Sequence, residues 1–447
     1  MSITDKNLYF EIQDCSLLTD LYQLTMSACY VGQAIAHNRA SFELFCRKLP
    51  KDFGYLIAMG LEQVLSYLQQ LKFSPEQIQA LQDTGLFKAA PYEFWNLLEK
   101  AKFEGDVWAV VEGTAIGAYE PILRIEGPLW QAQIVESYVL NTINYQTMIA
   151  TKAARLRDTA GDEAILLEFG TRRAFSPQGA LWAARAAIAG GMNTTSNVLA
   201  ALKLGILPQG TMAHSLIMAF EALGKKEQEV FAAFNSYFPE SVMLIDTIDV
   251  LAAARQIAQS QLKISGVRID SGDLVQLSRQ VREILPEVKI IVSGDLDEWE
   301  IAKLKSNNCP IDGYGIGTKL VSPQQQIVNG VYKLVEIEGI PTAKHSENKM
   351  NYPGRKQIFR SAKGDRLALF DERALPGEYP LLELVMKNGE RLSRENSLEQ
   401  IKDKTAQSVK QLSLETRRIS QPIPISLEIS VALEKLKNQV LNEKCSI

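Results

Sequence analysis

The segment Gly266–Leu274 packs an arginine, two aspartates, a serine and a glycine into the end of one apolar run. Apolar residues at helical spacing follow it, so the pattern predicts a strand that passes directly into a helix N-terminus. That end of a helix offers free N–H groups and a favourable dipole to an anion, and carboxylates beside it can ligate a cation. Ser271 or Asp273 alone could simply cap the helix, but capping leaves Arg268 and Asp270 unexplained.

His214 lies directly after another predicted strand, in the sequence Gly210–Ser215. A lone histidine more often packs in a core than takes part in catalysis. Arg172, Asp246 and the segment described above also end predicted strands. If those strand ends converge, the set could bind phosphates, hold a divalent cation and transfer a proton or a phosphoryl group.

Glycines end two further predicted strands, in Gly170–Arg173 and Gly315–Thr318. A missing Cβ lets a phosphate approach backbone N–H groups closely, although glycine-bounded strands are common. In a third turn, Gly294 and Asp295 could contact ribose hydroxyls. The residues by themselves therefore predict a phosphorylated, hydroxylated substrate bound with a divalent cation, and a phosphosugar is the simplest candidate.

The elements that must position these residues are short β-rich runs, which recur between about residues 164 and 320 and mostly precede helical segments. The runs are Ile165–Phe169, Met192–Thr194, Leu207–Met212, Val242–Asp246, Gly266–Asp270, Ile290–Gly294 and Tyr314–Gly317. This alternation predicts a parallel sheet built from βαβ units. Polar clusters end run after run, which favours a (β/α) barrel with all strand ends around one mouth over an open sheet with one switch point.

The two ends of the chain have a different pattern. Before residue 130, helices around Leu18–Tyr30 and Leu61–Leu68 and strands at Phe42–Arg47, Val107–Val111 and Ile122–Glu126 predict an α+β layer. A long helical pattern over 128–159 leads into the barrel, and basic strands and a final helix near Leu427–Leu441 follow. We expect three parts, namely an N-terminal sandwich part (1–130), the barrel with the active-site mouth (131–330) and a C-terminal part packed on the first (331–447).

The composition limits the possible partners. The chain has 447 residues, of which 46% are hydrophobic and 22% charged, as in a globular protein large enough for two domains. Its net charge of −4 argues against a nucleic-acid surface, and it has no signal-like segment or apolar run of membrane length. We therefore expect a cytoplasmic protein that binds small molecules. The five cysteines form no C-x-x-C pair, so reduced structural thiols are expected.

Taken together, these motifs resemble nicotinate phosphoribosyltransferases over nearly the whole chain. The matching stretches are Leu17–Met26, Phe42–Pro50, Glu168–Ala174, Thr195–Ala200, Gly210–Ser215, Arg268–Leu274, Asp295–Glu298, Lys344–Glu347 and Pro353–Lys356. The resemblance implies the type II phosphoribosyltransferase fold, an α/β protein with an irregular, incomplete (β/α) barrel beside an α/β sandwich, working as a homodimer with shared active sites. It also implies that nicotinate and phosphoribosyl diphosphate become nicotinate mononucleotide and diphosphate, with Mg²⁺ and coupled ATP hydrolysis, in NAD salvage.

The resemblance further implies roles for individual residues. His214 matches the histidine that ATP phosphorylates, and Arg268 matches the arginine near the nicotinate carboxylate, where a planar guanidinium suits a planar anion. Asp246 and Asp270 complete the expected catalytic set. Asp270 is also the candidate for holding Mg²⁺, chiefly through substrate phosphates.

Substrate-binding roles are implied in the same way. Phe169 and Tyr22 match the aromatic pair that sandwiches the pyridine ring, with Tyr22 coming from the second subunit. Thr211 is expected near the nicotinate, and Arg172 near phosphate or ring. The other residues expected to bind substrate are Ser271, Gly272, Gly294, Asp295, Gly317 and Thr318.

Some alternatives remain open at this stage. Related nicotinamide-using enzymes carry an aspartate within the stretch matching Thr195–Asn197, and its absence here favours the acid as substrate. Relatives usually have leucine at the position of His345, and the basic segment 344–360 could bind ATP or diphosphate from the neighbouring subunit or be a solvated surface. The competing functions are a phosphoribosyltransferase for nicotinamide or quinolinate, and a phosphosugar-binding barrel without turnover.

Overall fold

The structure, a computed structural model, describes residues 11, 14–322, 327–344, 350–392 and 395–444. The helices are α1 Leu21–Gly32, α2 Leu61–Gln69, α3 Pro75–Asp83, α4 Tyr92–Glu99, α5 Leu129–Ile134, α6 Glu136–Ala160, α7 Pro177–Ala189, α8 Val198–Leu204, α9 His214–Ala222, α10 Glu227–Tyr237, α11 Val250–Ala258, α12 Leu274–Ile284, α13 Glu298–Ser306, α14 Thr318–Val321, α15 Leu398–Lys410, α16 Leu414–Arg417 and α17 Val431–Lys444. The strands are β1 Arg39–Cys46, β2 Leu56–Ile57, β3 Asp106–Val110, β4 Ala115–Ile116, β5 Pro121–Pro128, β6 Ile165–Glu168, β7 Thr194–Thr195, β8 Val242–Leu244, β9 Gly266–Ile269, β10 Lys289–Ser293, β11 Gly313–Ile316, β12 Gly330–Ile337, β13 Ile340–Pro341, β14 Lys356–Ser361, β15 Gly364–Leu369, β16 Tyr379–Pro380, β17 Leu382–Lys387, β18 Glu390–Arg391 and β19 Leu427–Ile429.

Six parallel strands form the central sheet, in the order β7-β6-β11-β10-β9-β8. Residues 206–213 span the opening between the two edge strands. At β7 the Thr194 hydroxyl donates to the Leu207 carbonyl (2.7 Å), and just beyond β8 Thr247 contacts His214 at the start of α9. The sheet therefore curls into an incomplete barrel, which confirms the predicted fold class.

The predicted strand Leu207–Met212 is wrong, so seven β-rich runs give six strands. Its apolar residues suggested a strand, but Pro208 has no N–H group to donate to a ladder, and Leu207 is 83% exposed. The segment instead forms an extended bridge that leaves the barrel incomplete and delivers His214 to the rim.

The helical pattern before the barrel is confirmed as two helices, α5 and the 25-residue α6. No glycine or proline interrupts α6, and most of its residues are buried, with α6 packed against β2, β12 and neighbouring helices such as α7 and α13. At its C-terminal end, Arg157 donates to the carbonyls of Gly161, Ala164 and Gly191, at the amino ends of the barrel strands. The N-terminal end of α6 consequently points towards the carboxyl ends of those strands.

Strands from both ends of the chain share a seven-stranded sheet, in the order β13-β12-β1-β5-β3-β17-β18. A separate four-stranded sheet, β16-β14-β15-β19, lies within the C-terminal part. The predicted final helix began too early, because Leu427–Ile429 pairs with β15 and α17 starts only at Val431. No helix of the described ranges has the length and apolarity needed to cross a bilayer.

Buried ion pairs stabilise the contact between the N-terminal and C-terminal parts of the chain. Arg124 is fully buried, donates to Glu126 (2.8 Å), and its guanidinium lies over the rings of Trp108 and Phe370. Lys356 of β14 lies 2.8 Å from the buried carboxylate of Glu43 on β1. Since an unpaired buried charge is strongly destabilising, these contacts fix how the C-terminal strands dock.

Candidate active site

The carboxyl ends of the parallel strands bring most of the predicted site residues to one rim. Phe169 follows β6, and Asp246 follows β8. The residues that follow the remaining strands are Asp270, Ser271 and Gly272 after β9, Gly294 and Asp295 after β10, and Gly317 and Thr318 after β11. The register of adjacent strands therefore sets the spacing of the site.

Asp246 connects the ends of two neighbouring strands. Its Oδ2 accepts hydrogen bonds from the Asp270 N–H (2.9 Å) and the Ser271 hydroxyl (2.7 Å). Only 2% of the Asp246 side chain is exposed, and its Oδ1 has no hydrogen-bond partner in the described chain. Ser271 thus braces an acid rather than capping α12, a task performed by Asp273 through the Val275 and Gln276 N–H groups.

His214 begins α9 and lies between Thr247 and Asp246. Its Nδ1 is 3.0 Å from the Thr247 hydroxyl, and its Nε2 is 4.0 Å from the otherwise unpartnered Asp246 Oδ1. The His214 side chain is 39% exposed, so a substrate can reach the ring. The Nε2 edge of the ring therefore faces a buried carboxylate, and the Nδ1 edge faces a hydroxyl.

Arg268 on β9 faces an aromatic ring and a hydroxyl. Its NH1 donates to Thr211 Oγ1 (2.8 Å), and its guanidinium carbon lies 5.9 Å from the centroid of the Phe169 ring. Burial lowers the pKa of Arg268, and the charge of nearby Arg172 lowers it further, while Asp270 and Asp246 raise it. The guanidinium still stays charged, and its buried Nε lacks a partner in the described chain, so this side chain can receive a planar anion.

Asp270 and the turn after β10 are held in tight register. The Ser293 hydroxyl donates to Asp270 Oδ1, and a Cβ on Gly294 would collide with the Asp270 carbonyl. Asp295 adopts a left-handed backbone, with φ of 43°. A non-glycine residue held in that region at a solvent-exposed rim is typical of a functional turn.

Two glycines of β11 and its following turn make room for Phe169. A Cβ on Gly315 would lie 2.5 Å from the Phe169 ring, and one on Gly317 would lie 3.0 Å from the Phe169 carbonyl. Gly317 also begins the turn into α14, with Thr318 as its first residue. At the turn after β9, Gly272 has φ of 90°, a value that favours glycine.

Tyr22 is the one predicted site residue that its own chain does not bring to the rim. Its hydroxyl donates to Glu136 (3.3 Å) at the start of α6. The same helix reaches the level of the rim at Tyr145, whose hydroxyl donates to the Val321 carbonyl (3.2 Å) at the end of α14. Nine helical residues separate these points, which corresponds to roughly 13 Å.

Two rim residues were missed by sequence reasoning, namely Glu168 and Ser293. Ser293 ends β10 in a buried position and holds Asp270. Glu168 ends β6 with 1% exposure, and its carboxylate accepts bonds from the Gly170 N–H and the Thr195 hydroxyl. The available signal was a carboxylate placed at the end of an apolar strand, immediately before the aromatic residue of the matched motif.

The donor set fits a magnesium ion that depends on substrate oxygens. Across the residues that the structure describes, no three histidine, cysteine, aspartate or glutamate side chains are grouped to hold a metal. Mg²⁺ commonly takes one or two protein carboxylates and completes its shell with waters and substrate phosphates. Asp270 is the candidate for that carboxylate, because it follows β9 at the rim and Ser293 fixes its side chain through Oδ1.

The basic segment 344–360 is only partly described, and His345 lies outside the described residues. Of its described cations, Lys356 pairs with Glu43, Arg355 lies 3.0 Å from Glu336, and Arg360 lies 2.6 Å from Asp365. These three charges are engaged within the chain. Lys356, Arg355 and Arg360 therefore form neither a solvated basic surface nor a free phosphate-binding cluster.

A curled parallel sheet that gathers a histidine, two arginines and several acids at its carboxyl rim defines an α/β-barrel enzyme acting on a phosphorylated substrate. Comparison with known families narrows that class. The model of the nicotinate phosphoribosyltransferase N-terminal domain matches residues 17–144, the model of the family matches residues 165–366, and the model of its C-terminal domain matches residues 378–437. The chain belongs to the nicotinate phosphoribosyltransferase family.

Individual relatives extend over most of the chain. It is 37% identical over 446 residues to nicotinate phosphoribosyltransferase pncB2 of Mycobacterium tuberculosis (strain ATCC 25618 / H37Rv), covering 95% of this chain and 94% of the relative. It is 39% identical over 390 residues to nicotinate phosphoribosyltransferase of Bacillus subtilis (strain 168), covering 81% and 78%. The crystal structure of human nicotinic acid phosphoribosyltransferase superposes with a TM-score of 0.82 at 28% identity, covering 94% of this chain and 99% of that one.

Proposed function

We propose that the chain transfers the phosphoribosyl group of phosphoribosyl diphosphate to nicotinate, forming nicotinate mononucleotide and diphosphate, with ATP hydrolysis coupled through a phosphohistidine at His214. The observation that carries the proposal is the position of Arg268. Its guanidinium faces the Phe169 ring, bonds Thr211 and retains a buried Nε without a partner in the described structure. A pyridine ring on Phe169 with its carboxylate on Arg268 satisfies both groups at once.

The reaction places opposite charges in the site. As the C1–O bond to diphosphate stretches, positive charge grows on the ribose and negative charge on the leaving group. The carboxylates of Asp246 and Asp270 can stabilise the first, and Arg172 can stabilise the second. Mg²⁺, held by Asp270 and substrate oxygens, would neutralise part of the diphosphate charge. Nicotinate attacks C1 with its ring-nitrogen lone pair, so no general base is required.

This leaves His214 for phosphoryl transfer. In this mechanism the His214 ring carries its proton on Nε2, facing Asp246, and Nδ1 beside the Thr247 hydroxyl supplies the attacking lone pair. Attack of Nδ1 on the γ-phosphorus of ATP forms the N–P bond and releases ADP, and hydrolysis of that bond later returns the free histidine. The Asp246 carboxylate would stabilise the positive charge of the phosphorylated ring.

A homodimer with shared sites is part of the proposal. Tyr22 is 47% exposed and displaced from the rim of its own chain, so it would complete the pyridine sandwich of a partner. Large apolar side chains are exposed on or beside α1 and on the helices around the mouth, as expected of interaction surfaces. They include Leu18, Leu21, Val198, Leu199, Leu202, Met218, Leu223, Tyr237 and Phe238.

The test is diphosphate release from phosphoribosyl diphosphate with nicotinate, nicotinamide or quinolinate, each with and without ATP. We expect release with nicotinate and stimulation by ATP, and we expect His214→Ala to bind nicotinate but lose the stimulation. Release with only nicotinamide or quinolinate would establish a competing transferase. No release with any pyridine would favour a phosphosugar-binding barrel without turnover. Unchanged ATP stimulation in His214→Ala would remove the phosphohistidine from the mechanism.

A further inference from the structure

Glu168 is a buried acid whose hydrogen-bond donors, among the residues that the structure describes, are both neutral. Its carboxylate accepts from the Gly170 N–H at one oxygen and from the Thr195 hydroxyl at the other. Burial raises the pKa of Glu168, and these two hydrogen bonds oppose that shift. A carboxylate placed in a barrel rim at the expense of desolvation needs a specific reason, because an apolar residue could end the strand without that cost.

The two hydrogen bonds of Glu168 connect two rim turns. The first fixes the backbone directly after Phe169, whose own N–H donates to the Ile316 carbonyl (2.8 Å). The second reaches the turn after β7, where the Thr195 oxygen also accepts from the Asn197 N–H (2.9 Å). Glu168 therefore sets the direction in which Phe169 leaves β6 and ties that turn to the next strand.

The Phe169 ring has little freedom on its other side. A Cβ on Gly315 would lie only 2.5 Å from the ring, and the Arg268 guanidinium carbon lies 5.9 Å from its centroid. A shift of the turn after β6 would therefore move the ring relative to Arg268. Reacting groups must be held within a fraction of an ångström of productive geometry, and a displacement of about 1 Å can lower a rate by about 100-fold.

We infer that Glu168 is a positioning residue that holds Phe169 as the platform for the pyridine ring. The inference rests on the proposed function, because the platform matters only if a pyridine binds there. Glu168 acts through hydrogen bonds rather than charge, so glutamine should replace it. The glutamine oxygen can accept from Gly170, and its amide can donate to the Thr195 hydroxyl oxygen.

The experiment compares Glu168→Ala, Glu168→Gln and Thr195→Val in the full chain, with steady-state rates measured against nicotinate and against phosphoribosyl diphosphate. We expect Glu168→Ala to raise the KM for nicotinate about tenfold or more while the KM for phosphoribosyl diphosphate changes less than about threefold. Glu168→Gln should stay within about threefold of wild type for both substrates, and Thr195→Val should fall between the two.

Glu120 supplies a control outside the barrel. It is a fully buried carboxyl in the N-terminal part of the chain that accepts from the Gly117 N–H (2.9 Å) and, unlike Glu168, lies beside charged groups, with Arg360 4.0 Å away and Asp365 next to it. Glu120→Gln should leave both KM values unchanged, whatever its effect on the melting temperature. Thr195→Val preserves the side-chain shape and keeps the test decisive if Glu168→Ala fails to fold.

Wild-type turnover is measured first, because an inactive wild type refutes the proposed function rather than the role of Glu168. With an active wild type, an unchanged nicotinate KM in Glu168→Ala or Thr195→Val overturns the inference. Equal losses in Glu168→Gln and Glu168→Ala would assign the effect to charge. A parallel rise of both KM values would indicate a general structural role. Equal losses in the two Glu168 variants, or a parallel rise of both KM values, would each reject the role of Glu168 in positioning Phe169.

Discussion

Replacing Gly315 with alanine should damage the nicotinate site by displacing the Phe169 ring. Gly315 lies within β11, and its backbone is outside the left-handed region, so alanine suits its conformation. The added Cβ would lie 2.5 and 2.6 Å from two carbons of the Phe169 ring. Since optimal carbon contacts are about 3.5–4.0 Å, the ring must retreat by about 1 Å.

That displacement sets the expected magnitude. A reacting group misplaced by about 1 Å can cost about 100-fold in rate, equivalent to about 2.7 kcal/mol. We expect kcat/KM for nicotinate to fall by about 10- to 100-fold and overpacking to lower the free energy of unfolding by about 1–3 kcal/mol. Because the new methyl faces Phe169, the KM for phosphoribosyl diphosphate should change little.

Initial rates at varied nicotinate concentration, with a thermal melt of the same preparation, provide the assay. Gly210→Ala is the matched control, since its Cβ would meet no atom within 4 Å and its backbone is also outside the left-handed region. A folded Gly315→Ala variant with wild-type kcat/KM for nicotinate would refute the assignment of Phe169 as the pyridine platform.

Three further predictions test the anion contact, a buried acid and subunit sharing. Arg268→Lys should weaken nicotinate binding by about 1–3 kcal/mol in equilibrium titration, because lysine loses the planar paired donors; equal binding would reject this contact. Burial and, to a lesser degree, the carboxylates of Asp249 and Glu221 raise the pKa of Glu227 from 4.5 to about 7. As pH rises from 4.5 to 7, the unfolded chain therefore loses this proton before the folded chain does. The free energy of unfolding falls over that range. Because solvent screens part of these interactions, Glu227→Gln should gain about 1–2 kcal/mol over wild type in urea unfolding at pH 8 but almost nothing at pH 4.5, and a pH-independent difference would contradict the shift. Mixing Tyr22→Ala and His214→Ala chains should restore ATP-stimulated activity that neither variant shows alone, whereas no recovery after verified subunit exchange would argue against Tyr22 acting in trans.

The convergence of the rim residues was predictable because parallel strands present their carboxyl ends at one edge of a sheet. That geometry brings His214, Arg268, Asp246 and Asp270 together from positions spread over more than fifty residues of sequence. The sequence pattern could not predict which side chains of the rim form hydrogen bonds with one another. Whether Ser271 caps α12 or braces Asp246 depends on the side chain of a neighbouring strand, which local spacing does not encode.

Prediction of secondary structure from local sequence was wrong at segments whose conformation depends on tertiary contacts. Leu207–Met212 has apolar residues suited to a strand but forms no ladder, because it bridges the opening of the barrel instead. Leu427–Ile429 fits a helical pattern, yet it pairs with β15. Similarly, Glu298 lies in the first turn of α13, where acids are common on helix surfaces, but it is fully buried and accepts from Lys152 and Arg155 of α6.

Several side chains of the site are held by contacts from a neighbouring strand. Ser293 donates to Asp270 from β10, and Thr195 holds Glu168 across the β6–β7 pair. Arg268 instead donates to Thr211 of the extended bridge. The positions of Asp270 and Glu168 therefore depend on strand register. Because a one-residue slip reverses the face on which a side chain points, register errors would disable the whole rim together. The short strands around this mouth consequently need the helices packed on them, α7 on β6 and β7 and α12 on β10, to hold the register on which the chemistry depends.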